Sequence, residues 1–282
     1  MNPINYTELT PEIAAAGCMV VGMPNDAYHA YPAWNKSSLD LIAHSPAHYR
    51  YSAKREATRA MEIGSAVHAA ILEPDLFASD YMLLQDVTDR RSSAYKEACK
   101  TYPADRVLTG TEAAQVAGIQ ASVRCDLLNE PGWAEISVFA TCPDTGLLIK
   151  CRFDYLTHDG RALDLKTTQD ARRGEFGKSV FNYRYHVQDA FYRHAFAAAT
   201  GRELQSFTFL AVEKEPPFYH AEYELDAEAQ EIGQFYAMRD LRTAATCEKS
   251  GEWPAPVNDS RLLSLPGWAV SEYEAMLEET IV

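Results

Sequence analysis

Three strand-like segments, 133–141, 147–157 and 161–168, follow one another with only two short turn-forming clusters between them, CPDTG and HDG. Connections this short leave no room for a crossover helix, so the segments can pair only as an antiparallel meander. Helical patterns flank them. One opens at Asn35-Lys36-Ser37-Ser38-Leu39 and stops before Pro46, and a second covers 58–73 and is closed by Pro74. A third runs from 111 to 128, with Thr109 and Glu112 spaced as a capping box and Glu130-Pro131-Gly132 as its stop. A long helix over 184–200 ends at Gly201, followed by strand patterns at 207–213 and 219–225 and a polar-faced helix over 226–247. The order predicts an α/β fold in which a mixed central sheet, containing the meander, is flanked by helices. No repeat or flexible linker forces a boundary, so 1–282 reads as one domain, with a helical part to about 110, a core over 111–225 and a helical part after it.

Apolar residues make up 47% of the chain and aromatics 11%, a globular composition. The N-terminus MNPINYTELT has no basic start followed by an apolar run, and no apolar stretch reaches membrane-spanning length. The expected location is the cytoplasm, with no membrane partner. The six cysteines show no CxxC or CxxxH spacing and are expected to be reduced and mostly buried. A formal charge of −14 argues against a nonspecific nucleic-acid coat protein. The field is nevertheless uneven, because Arg124, Lys150, Arg152, Arg161, Lys166, Arg172, Arg173, Lys178, Arg184 and Arg193 all fall within 111–200.

The register of the second hairpin decides which side chains meet. With a two-residue loop, Asp159-Gly160, Asp154 and Asp164 fall on opposite faces. With a three-residue loop, His158-Asp159-Gly160, and Gly160 in the left-handed conformation, Asp154 lies opposite Asp164 and Arg152 opposite Lys166. Two facing carboxylates repel, and a divalent ion relieves that cost. Mg²⁺ suits two aspartates, a backbone carbonyl such as that of Leu165, and waters, and Mn²⁺ is expected to substitute. Lys166, two residues beyond Asp164, projects to the same face, where its ammonium can orient a water and offset phosphate charge. Of the nine lysines, Lys166 alone has an acid two places before it. Acid, acid and lysine suit a phosphodiester hydrolase.

The neighbouring elements offer further candidates. Glu135, near the start of the first strand, can complete a metal site or face water as an edge acid. His68, among small and aliphatic residues of the 58–73 helix, reads by itself as a core histidine. Gln188 and Tyr192, four apart on one helix face, can bind a phosphate or pack as core, while Tyr185 reads as core. Arg172, Arg173 and Lys178 fall in a loop, where they track a DNA backbone or are simply solvated.

The strings GSAVHAAILEP, KCRFDYL, ALDLKTT and YRYHVQDAFY, with NKSSLDLIAHSPAHY before them and EWPAP…LSLPGWA after, resemble the RecE-type exonucleases (exodeoxyribonuclease VIII) of the RecB-like branch of PD-(D/E)XK nucleases. The similarity spans roughly residues 25–270. It implies metal binding by His68, Asp154 and Asp164, a catalytic Lys166, and Gln188 with Tyr192 near the DNA backbone; Glu135 matches an acid of less defined role. It further implies a Mg²⁺-dependent 5′-to-3′ exonuclease acting on linear double-stranded DNA ends. Such an enzyme leaves 3′ tails for a single-strand annealing protein of the RecT type, and assembles as a homo-oligomeric ring. The chain looks like a stand-alone catalytic domain of phage or prophage origin, working in the cytoplasm of a bacterial host. Lys36, Arg50 and Arg152 are candidates for a 5′-phosphate contact. A structure-specific endonuclease, a single-strand nuclease of the same superfamily and a non-catalytic DNA-end-binding protein are the alternative readings.

Overall fold

In the computed structural model, which describes residues 2–53, 57–256 and 264–280, the described strands are β1 (Ile4–Asn5), β2 (Cys18–Val21), β3 (Met82–Leu84), β4 (Val107–Thr109), β5 (Gly132–Thr141), β6 (Leu148–Thr157), β7 (Arg161–Thr168), β8 (Ser206–Glu213) and β9 (His220–Tyr223). The described α-helices are α1 (Pro11–Ala16), α2 (Asn25–Ala30), α3 (Lys36–His44), α4 (Pro46–Tyr51), α5 (Arg59–Leu72), α6 (Pro74–Asp80), α7 (Ser93–Ala98), α8 (Gly110–Ser122), α9 (Arg173–Asn182), α10 (Tyr185–Thr200), α11 (Ala227–Ser250) and α12 (Gly267–Thr280). Seven strands form one mixed sheet in the order β1-β2-β5-β6-β7-β8-β9, and β3 pairs with β4 separately. Among the described residues no helix is long and apolar enough to cross a membrane.

The antiparallel meander is β5-β6-β7. The second hairpin uses the three-residue loop: β6 ends at Thr157, β7 begins at Arg161, Gly160 has φ 101°, and Tyr155 and Leu156 pair with Leu163 and Ala162. Beyond Tyr155↔Leu163 the ladder stops and the two strands part.

Both strands of the β5-β6 pair reset their side-chain alternation at one level. Trp133 and Ile136 on β5 pack into the same apolar cluster though three residues apart, and Phe153 and Leu156 on β6 do likewise. An unbroken strand would send residues three apart to opposite faces. The reset falls on Glu135, which takes a left-handed φ of 48°, and on Asp154; the pairing skips these two while joining Ala134 to Tyr155 and Ile136 to Phe153.

Helix α10 covers one face of the sheet, with Val187, Phe191, Ala195 and Phe196 packed on Ile136, Phe153 and Phe207, and α11 and α3 lie behind it. On the other face, α5 and α8 cover Leu163, Leu165, Leu210 and Val212. The N-terminal segment covers the rest of that face and brings Tyr28 and Met23 onto Phe139. Glu112 joins α5 to α8, closing the capping box with Thr109 while accepting both arms of the Arg59 guanidinium at 2.7 and 2.6 Å. That link fixes the helix bearing His68.

Three elements differ from the sequence reading. Helix α8 ends at Ser122 rather than near 128, because Val123 and Cys125 turn inward to join the core and a short 3-10 turn, Asp126–Asn129, carries the chain to β5. The presumed loop after β7 contains α9, anchored by buried Phe176, so Arg173 and Lys178 lie on a helix. Strands β1 and β2, from the part expected to be helical, extend the sheet on the β5 side. The stretch 257–263, between EWPAP and LPGW, lies outside the described residues.

Candidate active site

The alternation reset delivers Glu135 and Asp154 toward α5, where His68 meets them. His68 Nδ1 lies 3.5 Å from Asp154 Oδ2 and 3.9 Å from Glu135 Oε1, and ligand atoms of all three residues lie within 4.8 Å of one another. The parting of β6 from β7 leaves a slot that Asp154 bridges: its Oδ2 accepts from the backbone N–H of Leu165 at 2.7 Å. The carbonyl of the same Leu165 lies 3.0 Å from His68 Nε2.

Asp164 and Lys166 project from β7 toward α10. Asp164 is 3% exposed; its Oδ1 accepts from Gln188 Nε2, and its Oδ2 lies 2.5 Å from Lys166 Nζ. Oδ2 is buried and faces the Lys166 ammonium. Lys166 Nζ also sits 4.7 Å over the Tyr185 ring. Asp154, Asp164 and Lys166 line one cavity of about 500 Å³ together with Gln188, Tyr192, Lys36, Asp40, Arg184 and Tyr185. A larger groove, about 730 Å³, runs along α11 and is lined by Phe235, Met238, Arg239 and Arg242, away from this chemistry.

Burial raises the Asp154 carboxyl to about 6, with Asp164 adding repulsion and His68 and Lys166 opposing it. Burial likewise raises Glu135 to about 7, with Asp154 adding to it and His68 and Arg152 opposing. Burial works against the Lys166 ammonium, but Asp164 and Asp154 outweigh it and hold its pKa above the ordinary lysine value. Tyr192 is pushed well above the usual phenol range by burial, so its hydroxyl is a donor rather than a phenolate.

These residues fit a hard divalent ion. Carboxylates raised toward neutrality by burial and mutual repulsion, a buried Asp164 carboxylate, a nearby backbone carbonyl and one imidazole form an oxygen-rich donor set of the kind Mg²⁺ and Mn²⁺ take. The 3.0 Å between His68 Nε2 and the Leu165 carbonyl also suits two adjacent ligands of one ion, which at bond lengths of about 2.1 Å lie about 3 Å apart.

Not every sequence candidate converges here. Arg152 is buried, donating to Ser137 Oγ at 2.9 Å and to the Met23 carbonyl at 2.8 Å, with its guanidinium over the Tyr28 ring. It packs under the N-terminal segment rather than opposite Lys166, because the ladder ends before that pair, and its Nη1 lies 4.0 Å from Glu135 Oε2. Arg50 is exposed on α4, Arg172 is exposed and paired with Asp170, Arg173 is exposed at the start of α9, and Lys178 is paired with Glu175. Only Lys36 of the expected phosphate contacts lines the cavity, with Nζ 2.8 Å from Asp40 and donating to the Tyr183 carbonyl at 2.6 Å.

The structure adds Arg184, Tyr185 and Asp40 to the cavity wall. Arg184 has a left-handed φ of 55° and pairs with Asp40 at 3.0 Å and with Asp240. Tyr185, read from sequence as core, shares its ring between Lys166 and Lys36, the latter at 5.9 Å. The one sequence signal for Arg184 and Tyr185 is position, within the YRYHVQ string that ends at Gln188.

No curated protein matches the chain. Among solved structures, a chain from Eubacterium rectale provisionally named an exonuclease superposes with a TM-score of 0.58 at 14% identity, over 86% of this chain and 95% of that one. A likeness at that identity speaks for the fold alone. A second structure, SSO0001, covers 71% of this chain and 84% of its own at 14% identity, but its TM-score of 0.27 carries no argument. The family model for the PDDEXK-like domain of unknown function (DUF3799) matches residues 33–263. That match contains His68, Glu135, the two aspartates, Lys166 and the Gln188-bearing helix, and it establishes that this chain is a member of the PDDEXK-like DUF3799 family.

Proposed function

We propose that the protein is a metal-dependent deoxyribonuclease that degrades linear double-stranded DNA from the 5′ end. The observation that carries this reading is the shared cavity of Asp154, Asp164 and Lys166, beside His68 and Glu135. A carboxylate set prepared for a divalent ion and an ammonium held at the same opening are the parts that phosphodiester hydrolysis needs. The family match and the name of the Eubacterium rectale neighbour support the nuclease class. The exonuclease direction, Mg²⁺ as the ion, a RecT-type annealing partner and a ring of subunits rest on the motif resemblance.

In this reading His68, Asp154, Asp164 and the Leu165 carbonyl hold Mg²⁺, with Glu135 beside them. When bound, the ion lowers the pKa of a water and offsets charge on the scissile phosphate. Lys166 turns from Asp164 to the attacking water and the phosphate, and Tyr185 keeps its ammonium at the cavity wall. Gln188 holds the Asp164 carboxylate in place through its amide hydrogen bond. Tyr192, packed edge-on against Phe153 and Phe207, offers its hydroxyl as a donor to the strand. Lys36 and Arg184 supply positive charge for the flanking phosphates.

Purified protein given Mg²⁺ and linear duplex labelled at one 5′ end or one 3′ end tests this directly. The 5′ label is expected to leave as the earliest product while a covalently closed circle stays intact. Degradation of the circle would favour the endonuclease alternative, and inertness toward linear DNA with both Mg²⁺ and Mn²⁺ would favour a DNA-end-binding module.

A further inference from the structure

The turn between β5 and β6 meets the later half of α10 at a cluster that the proposed nuclease chemistry leaves unused. We infer that Cys142, Asp144 and His194 form a second cation site, built for a borderline-soft divalent ion of the Zn²⁺ class rather than for Mg²⁺.

Cys142 Sγ lies 3.3 Å from His194 Nε2, and ligand atoms of all three side chains fall within 4.8 Å of one another. In a tetrahedral zinc site, with sulfur at about 2.3 Å and nitrogen at about 2.0 Å, the two ligand atoms stand about 3.5 Å apart. The pair is therefore already at ligand spacing.

The turn also prepares the sulfur. Cys142 is fully buried, which opposes a thiolate, yet hydrogen bonds with His194, the Thr145 side chain and the backbone of Thr145 and Asp144 lower its pKa. Tight closure of the turn aims those groups at the sulfur: Cys142 N–H donates to the Leu147 carbonyl at 2.8 Å, and Gly146, with φ 73°, donates to the Cys142 carbonyl at 2.9 Å. Asp144 is exposed and His194 partly so, which leaves an entrance from solvent and a position for water.

The donors separate this site from the first. Sulfur and imidazole favour Zn²⁺ and its neighbours, whereas carboxylate and carbonyl oxygens favour Mg²⁺ and Mn²⁺, so the two positions discriminate by chemistry. His194 follows Gln188 by six residues on α10, about 9 Å of helix rise, so the sites share a helix without sharing a ligand.

The test is Co²⁺ titration of the full chain in excess Mg²⁺, read as the near-ultraviolet thiolate-to-cobalt charge-transfer band and reversed by competing Zn²⁺. The expected result is saturation at one equivalent, loss of the band in Cys142→Ser, and roughly tenfold or greater weakening in His194→Ala. Absence of the band, or its survival in Cys142→Ser, overturns the site. Should Cys142→Ser fail to fold, Asp144→Asn at the exposed position decides. A retained band with weakened Co²⁺ affinity supports the triad, and unchanged affinity overturns it.

Discussion

Lys166 has an unusual double attachment, to the Asp164 carboxylate at 2.5 Å and to the Tyr185 ring, and neither contact contributes to the apolar core. Lys166→Ala is therefore expected to lower digestion of linear DNA by at least about a hundredfold. The circular-dichroism spectrum should stay unchanged; a variant still digesting at the native rate would remove Lys166 from the chemistry. A different test concerns Asp189, fully buried beside Arg193. Burial raises its carboxyl from an ordinary 3.8 to about 6, Arg193 opposes the rise, and Glu224 and Asp164 add to it. A folded-state pKa above the unfolded one means the folded protein holds that proton more tightly. The contribution is fully present below about pH 4 and lost as pH rises through about 6, on the order of 3 kcal/mol. Asp189→Asn should flatten that part of the profile in urea unfolding at successive pH values. At this scale, part of the cavity was legible in advance: strand alternation places Asp164 beside Lys166, and the Gly160 turn sets the hairpin register as far as Tyr155↔Leu163, short of the expected Asp154–Asp164 pair. What alternation could not reveal was its own interruption. A non-glycine residue at φ 48°, as at Glu135, leaves no mark in a string of letters, and Lys36, Arg184 and Tyr185 converge only because α3 packs behind α10.

Helix α10 is positioned by a close crossing with α11, where Gly233 lies against the His186 backbone two residues before Gln188. A methyl group on Gly233 would fall 2.1 Å from the His186 carbonyl oxygen, and neither backbone can yield cheaply. Gly233→Ala is expected to cost about 1–3 kcal/mol in urea unfolding and to reduce nuclease activity by more than the loss of folded protein explains. Glu112→Gln, which weakens the Arg59 fork, should cost about 2 kcal/mol and loosen the α5 that carries His68. Hydrogen exchange along α5 would register the change. Helices announced by strong caps were readable from sequence, as Asn35, Thr109 and Gly201 show. Helix α9 was hidden because its polar and glycine-rich sequence resembles a loop, and tertiary burial of Phe176, with Val180 packed on the same cluster, holds it.

For the molecule as a whole, an ion that binds the folded chain alone must stabilise it by mass action. At a hundredfold excess over its Kd, Mg²⁺ is expected to add about 2.7 kcal/mol, seen as a rise in Tm. Asp154→Asn should abolish the rise, and an undiminished rise in that variant would place the ion elsewhere. Light scattering of the purified protein tests the proposed ring. The N-terminal segment has a structural consequence of its own. Lys150, 1% exposed, donates its ammonium to the carbonyls of Tyr28 and Tyr31, residues that precede the family match at 33. A version trimmed to that family boundary would strip the lysine of its acceptors and uncover the flank of β5 that β2 now protects. The first thirty residues thus behave as a lid sewn to the sheet, and trimming them should yield an insoluble product rather than a minimal enzyme.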